Sequence, residues 1–317
     1  MTRTSIYYLL FILFISSCTF NSKPSNPFLY QKQGLIAVKG GKIWYGIMGE
    51  GDKTPILCLH GGPGGTSRSY YNLSEISNKH PVIFFDQLGS GLSDHHQDTT
   101  LLKVDLFVEQ VKAIKSELKL NEFYLLGSSW GAALALEYYK HYPKGIKGII
   151  FNSPYFSTPI WTNDAAVLIS KLPDSIQNAI YIAEKDSVFN TSSYIAADSY
   201  FASKHGRRKE FIKHPYDTLI SKRNNFIYNY MWGPSEFTAT GTLKNYDNVE
   251  SLKKVTIPAL FTTGEFDEAR PETVKSLSKL IEGATFVSIP DAGHFSLNDN
   301  RPAVVKAIQE FIDHQEN

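Results

Sequence analysis

The stretch LLGSSWGAA, Leu125 to Ala133, decides how the rest of the chain is read. Gly127-Ser128-Ser129-Trp130-Gly131 fits G-x-S-x-G, which makes Ser129 a candidate nucleophile and Ser128 a spectator. In that pattern the serine occupies a sharp strand-to-helix turn in strained geometry, and its hydroxyl projects above a sheet. A side chain two positions to either side would collide there, so both flanks are glycine. The neighbours agree. FYLLGS has the apolar run of a strand, and WGAALALEYYKHY is rich in helix formers. Alone, the pattern arises by chance roughly once in ten chains of this length.

Outward from the elbow, PILCLH, PVIFFD, FYLLGS and KGIIFNS are short apolar runs that end in polar or glycine residues. Such runs fit strands buried on both faces of a mostly parallel sheet. Before them, LIAVKGGKIWYGIMG reads as a hairpin turning at Gly40-Gly41. Val104, Phe107, Val108, Val111, Ile114 and Leu118 recur at helical spacing. From 155 to 252 aromatic and polar residues mix without a comparable strand, which predicts a mostly helical insertion. IPALFTTGEFD and ATFVSIPDAGH then resume the strands. A helix around Glu272 to Ile281 joins these two, and RPAVVKAIQEFI closes the chain as another. Alternating strands and helices give an α/β fold with helices flanking the sheet and an inserted cap.

Three further motifs follow strand candidates in a chemically meaningful order. HGGPGG, His60 to Gly65, is glycine-rich enough to turn backbone N–H groups into a cavity. Such a loop supplies one oxyanion donor, and the residue after the nucleophile supplies the second. The donors are then Gly62, with Gly61 as the alternative, and Trp130. GEFDE places Asp267 after one strand, and DAGHF places His294 after the last. The order Ser129, Asp267, His294 is that of a nucleophile, an orienting acid and a general base on this kind of sheet. Nine histidines are present, and His294 stands out only by its position. The chemistry calls for no cofactor, and no His/Cys/Glu spacing suggests a metal.

The 317 residues carry 42% hydrophobic and 20% charged residues and a net charge of +1, enough for a core and without a basic stripe for nucleic acid. The N-terminus departs from this. Arg3, an apolar run from Ile6 to Ile15 and small residues before Cys18 have the layout of an export signal, too short for an ordinary membrane span. ISSC is similar to the lipobox of bacterial lipoproteins, in which the cysteine is lipidated, and an acylated Cys18 would anchor the chain without a transmembrane helix. A plain cleaved signal is the other reading. The expected organisation is a signal over 1–18, a tether over 19–33, core over 34–154, helical cap over 155–252 and core again over 253–317. That implies an exported protein, periplasmic or on the cell surface of a bacterium. Cys58, the second of two cysteines, reads as a buried apolar residue with no disulfide partner.

Together HGGPGG, DQLGSGLS (Asp86 to Ser93), GSSWG, MWGPSEF (Met231 to Phe237), GEFDE and AGH resemble the prolyl aminopeptidase, or proline iminopeptidase, family of α/β-hydrolases. The resemblance runs from about Gly34 to the C-terminus. It implies an α/β-hydrolase fold and two glutamates, here Glu236 in GPSEF and Glu268 beside Asp267, that hold the free amine of a peptide substrate. A peptide α-amine is largely cationic at neutral pH. Poorly solvated carboxylates bind such a cation and discriminate against blocked termini. The expected activity is release of an N-terminal residue, proline in preference, through an acyl-enzyme on Ser129. Leucine or alanine preference, an esterase or lactonase with the same triad, and a non-catalytic binding protein are the alternatives; the intact triad speaks against the last. DQLGSGLS reads as support for the site, not as chemistry.

Overall fold

The computed structural model describes residues 30–213 and 223–316. The expected signal, Cys18 and most of the expected tether lie outside the described residues. The core is one eight-stranded sheet in the order β1-β2-β4-β3-β5-β6-β7-β8. Strands β1 (Lys32–Val38) and β2 (Gly41–Met48) form an antiparallel hairpin, and β2 runs antiparallel to β4 (Val82–Phe85). The others, β3 (Ile56–Leu59), β5 (Phe123–Ser128), β6 (Ile146–Asn152), β7 (Ala259–Gly264) and β8 (Thr285–Ile289), are parallel.

The hairpin differs slightly from its expectation. Val38 pairs with Gly41, so the turn is Lys39-Gly40, with Gly40 at φ +95°. Strand β1 also starts inside the stretch expected as tether, because Lys32 pairs with Ile47 and the Gln31 N–H bonds the Ile47 carbonyl at 3.0 Å. Tyr30 is buried there against Trp44 and Phe84.

Successive strand residues point to opposite faces, and the apolar runs therefore feed two cores. Leu57, Leu59, Ile83, Phe85, Leu125 and Phe151 face one side. There they meet α2 (Val104–Glu117), α3 (Trp130–His141) and α8 (Pro271–Ser278). Ile56, Cys58, Val82, Phe84, Leu126 and Ile150 face the other, which is closed by residues 67–73, α1 (Ser74–Ser77), α9 (Ser296–Asp299) and α10 (Arg301–Glu316). This explains why the central strands read as continuous apolar runs. Cys58 is fully buried, and burial pushes its thiol well above the usual range.

Between β6 and β7 the chain leaves the sheet and forms the helical insert. Its helices are α4 (Thr158–Ile169), α5 (Asp174–Asp186), α6 (Ser192–Phe201) and α7 (Asn225–Met231). Leu168, Leu172, Ile180, Tyr194, Phe201 and Phe237 make a small separate core for α4 to α6. No helix among the described residues is long and apolar enough to cross a membrane.

Candidate active site

The elbow has the geometry its sequence implies. Ser129 sits at φ 55°, ψ −122°, between the end of β5 and the start of α3. That conformation costs an L-residue on the order of 1–3 kcal/mol and persists only where its surroundings fix it. Here the Ser129 N–H donates to the Asn152 carbonyl at 3.1 Å, and its own carbonyl accepts from Ala132 N–H at 2.8 Å. A Cβ on Gly127 would lie 2.1 Å from the Gly131 carbonyl oxygen, and one on Gly131 only 1.9 Å from that of Leu59. Both glycines are therefore steric requirements of the turn. The two serines diverge. Ser128 Oγ accepts from the Tyr70 hydroxyl at 3.1 Å and from Asn152 Nδ2 at 3.3 Å, while Ser129 lines a pocket.

The pocket is lined by Gly62, Pro63, Ser129, Trp130, Tyr155, Trp161, Trp232, Glu236 and Leu243. Both expected oxyanion donors, Gly62 and Trp130, thus line the same pocket as Ser129. Gly61, the alternative, packs directly on Ser129: a Cβ there would stand 3.1 Å from that of Ser129. One buried side chain joins the two donor loops. Gln87 Nε2 donates to the His60 carbonyl at 2.9 Å, and its Oε1 accepts from Trp130 Nε1 at 3.0 Å. Its backbone N–H donates to His60 Nε2 at 2.9 Å, while His60 Nδ1–H donates to the Gly61 carbonyl at 2.8 Å. His60 is thereby a neutral ring of fixed tautomer, and burial lowers its pKa further. The DQLGSGLS loop consequently supports the site through Gln87.

Asp267 and His294 stand on the loops after β7 and β8. His294 Nδ1–H donates to Asp267 Oδ1 at 2.8 Å. The carboxylate also accepts from the Ala269 N–H at 2.8 Å, from Thr263 Oγ1 at 2.9 Å and from the Gly264 N–H at 3.2 Å. These four donors hold the carboxylate in place, and it in turn fixes the orientation of the ring. Burial works against a charged His294, but the carboxylates of Asp267 and Glu268 outweigh it and push the pKa up to about 10. Trp161 lies edge-on to the His294 ring, 5.4 Å between centroids, and also lines the pocket with Ser129. That indole connects the His294 ring to the pocket that Ser129 lines.

Glu268 is the unusual group. Its side chain is 2% exposed, and neither carboxylate oxygen has a hydrogen-bond partner. Oε1 lies 3.8 Å from His294 Nδ1. Burial, then the negative charge of Glu236, raises the Glu268 pKa well above the usual carboxylate range. Glu236 approaches from the insert on the turn after α7, which is pinned by its neighbours. Trp161 Nε1 donates to the Glu236 carbonyl and Trp232 Nε1 to that of Ser235, each at 2.8 Å. The Glu236 carboxylate is 3.9 Å from Arg223, whose guanidinium stacks 3.6 Å above the Tyr228 ring. Asp198 on α6 adds a third carboxylate, pushed up to about 6 by burial and by Glu236, with Arg223 opposing.

The chain matches the family model for the alpha/beta hydrolase fold over residues 54–300. It is 39% identical to a proline iminopeptidase of Heyndrickxia coagulans over 286 residues, covering 89% of this chain and 98% of that one. A proline iminopeptidase of Saccharolobus solfataricus is 32% identical, with 89% and 92% covered. The chain belongs to the proline iminopeptidase family of α/β-hydrolases. Among solved structures, VinJ superposes with a TM-score of 0.81 at 26% identity, covering 90% of this chain and 99% of that one. The proline iminopeptidase of Mycobacterium smegmatis gives 0.80 at 24%, covering 90% and 98%, a likeness of fold.

Trp161 in the pocket lining, and Asp198, Arg223 and Tyr228 grouped around Glu236, are not readable from the sequence of this family member. They lie in the insert, where no strand frames them and no short motif surrounds them. Gln87 stood in a quoted motif, but only the fold shows that it bridges two loops.

Proposed function

We propose that this chain is a serine aminopeptidase that releases an N-terminal residue, proline in preference, from peptides with a free amino terminus. The observation that carries the reading is the Glu268 carboxyl, buried with neither oxygen hydrogen-bonded and with Oε1 3.8 Å from His294 Nδ1. A buried carboxylate is costly until a cation arrives, and a peptide ammonium is such a cation. Glu236, lining the same pocket as Ser129, offers it a second carboxylate. With its terminal amine held in the pocket that Ser129 also lines, a peptide is cut next to its N-terminus, which makes the cleavage exopeptidic. The indoles of Trp161 and Trp232 and the ring of Tyr155 give that residue an apolar, flat-walled box suited to a pyrrolidine.

In the reaction His294 Nε2 takes the Ser129 proton as the oxygen attacks the scissile carbonyl. The oxyanion is received by the Gly62 and Trp130 N–H groups, each such donor typically being worth about 10²–10³ in turnover. His294 then returns the proton to the leaving amine, and water hydrolyses the acyl-enzyme by the same route. Asp267 fixes the ring and balances the imidazolium. No cofactor enters these steps.

The test is chromophore release from free prolyl, leucyl and alanyl anilides beside N-acetylated copies and p-nitrophenyl acetate. Turnover of free anilides with proline ahead is expected. Leucine or alanine ahead would move the preference, and turnover of the ester alone would move the protein to the esterase or lactonase reading. We also propose export and lipid anchoring at Cys18, from the N-terminal pattern alone. Cys18→Ser is then expected to shift the protein from membranes to the soluble fraction, and an unchanged distribution would sink the anchor.

A further inference from the structure

The triad's Asp267 and His294 belong to different loops, and both loops meet the insert at one short turn. Residues 202–206 continue α6 as a single π-turn, closed by the Arg207 N–H on the Ala202 carbonyl at 2.9 Å. Isolated π-turns in helices are frequent at functional sites. The carbonyls at the end of this one point at the catalytic histidine's backbone. The His294 N–H donates to the His205 carbonyl at 2.8 Å, and the Phe295 N–H to the Gly206 carbonyl at 3.1 Å. The contact is close enough to dictate sequence: a Cβ on Gly293 would lie 2.4 Å from the Gly206 carbonyl oxygen and 2.8 Å from that of His205. The glycine in DAGH is thus needed for the insert to reach the loop.

The His205 side chain reaches the other loop. Its Nδ1–H donates to the Phe266 carbonyl, immediately before Asp267, at 2.9 Å. One residue therefore holds the histidine loop with its backbone and the aspartate loop with its ring. The chain beyond it is fastened to the same part of the core. Asp299 accepts from the Arg208, Lys209 and Gly293 N–H groups, each at 3.0 Å. Within the core the two loops are already joined by the Glu265 N–H on the Ile289 carbonyl at 2.8 Å, the Phe266 N–H on the Ala292 carbonyl at 2.9 Å and the Asp291 N–H on the Glu265 carboxylate at 3.1 Å, so His205 is a further tie between them, supplied from outside.

We propose that His205 is a positioning residue for the triad, stapling the Asp267 and His294 loops together so that insert and base move as one unit. It touches no reacting atom and acts by holding the 2.8 Å His294–Asp267 contact in register. Misplacement of a catalytic group by even 1 Å can cost about 10²-fold in rate. Loss of one tie among several is a smaller disturbance.

The inference rests on the Ser129, Asp267 and His294 assignment but not on the amine clamp. Three readouts are needed: steady-state turnover of prolyl anilide, turnover of p-nitrophenyl acetate, and the rate at which a fluorophosphonate labels Ser129. His205→Ala is expected to lower kcat about tenfold on both substrates with KM within about twofold, and to slow labelling by the same factor. His205→Asn places an amide N–H where Nδ1 stood and should recover most of the loss. His205→Gln carries its N–H one bond farther and should not. A kcat for His205→Ala within twofold of wild type, a loss confined to KM, or Asn no better than Gln would each overturn the proposal. If the alanine variant does not fold, the Asn and Gln pair decides. Labelling that survives Ser129→Ala would instead sink the triad assignment beneath it.

Discussion

The sheet and the insert solve different problems with different chemistry. In the sheet, Leu125, Leu57 and Phe85 are wholly buried, and the strands that precede the candidate site loops are hydrogen-bonded to their neighbours. Ser129, the Gly61-Gly62 loop, Asp267 and His294 all follow the C-terminal ends of parallel strands and so share one end of this frame. The insert is thinner. Helix α5 buries only Ile180 and Ala183 among its 13 residues and leaves Tyr181 and Ile182 more than half exposed. What it contributes is charge and shape: Glu236, Asp198 and Arg223, with the Trp161 and Trp232 rings. The core can therefore be the seat of acyl transfer in general, and the insert, with Glu268 facing it, the seat of selection. The predictions test that division.

The largest effect is expected at the elbow. Ser129→Ala should reduce turnover of every substrate on the order of 10⁴-fold or more, as loss of a covalent nucleophile does. Ser128→Ala removes only an acceptor for Tyr70 and Asn152 and should stay within about threefold. Anilide kinetics on the two variants separate them. A dead Ser128→Ala beside a live Ser129→Ala would reverse the reading of the elbow.

Next in size is Glu268→Gln, which should split the substrates. On a free prolyl anilide kcat/KM is expected to fall about 10²-fold, because the cationic amine loses its buried partner. A neutral ester should lose far less, and its pH profile should move. His294 must be neutral to accept the Ser129 proton, so turnover rises as pH climbs through its pKa. Asp267, Glu268 and Glu236 all face it and raise that pKa, to about 10. Removing the Glu268 carboxylate lowers it, so the acid limb of ester turnover should shift to lower pH. A bound ammonium acts in the same direction. The acid limb of kcat for the free anilide should thus lie below that for the ester in wild type. Equal losses on both substrates, with an unmoved ester profile, would break the division between chemistry and selection.

The same division governs what could be read from sequence. The strands were legible because burial on both faces leaves uninterrupted apolar runs, and β6 and β7 frame the insert by contrast. The candidate triad could be read from the sequence because each member follows a strand. Glu236 and Glu268 came from the resemblance, since an isolated acid in a loop carries no local pattern. Asp198 and Arg223 matter only through the folded position of Glu236, which no spacing rule encodes. His205 was missed for a related reason: its role lies in two contacts, at separations of 61 and 89 residues, that appear only when the insert is docked. The hairpin turn was displaced by one residue because Lys39-Gly40-Gly41 allows two registers, and pairing of Val38 with Gly41 selects one.

The smallest expected effect sharpens the comparison from the core side. Gln87 is fully buried and binds both oxyanion loops, so its loss should be blind to the substrate's amine. Gln87→Met keeps the volume but strands the Trp130 Nε1–H and the His60 carbonyl. Each stranded group costs about 1–3 kcal/mol, and partial relaxation should leave a lowered melting temperature that calorimetry can measure. The donors at Gly62 and Trp130 would then be held less firmly where oxyanion charge develops, so kcat should fall about tenfold. Because those donors serve any carbonyl, the loss should match on anilide and ester, with KM nearly constant. A Gln87→Met variant that harmed the free anilide alone would mean that the oxyanion loops also read the amine. Chemistry and selection would then share one scaffold.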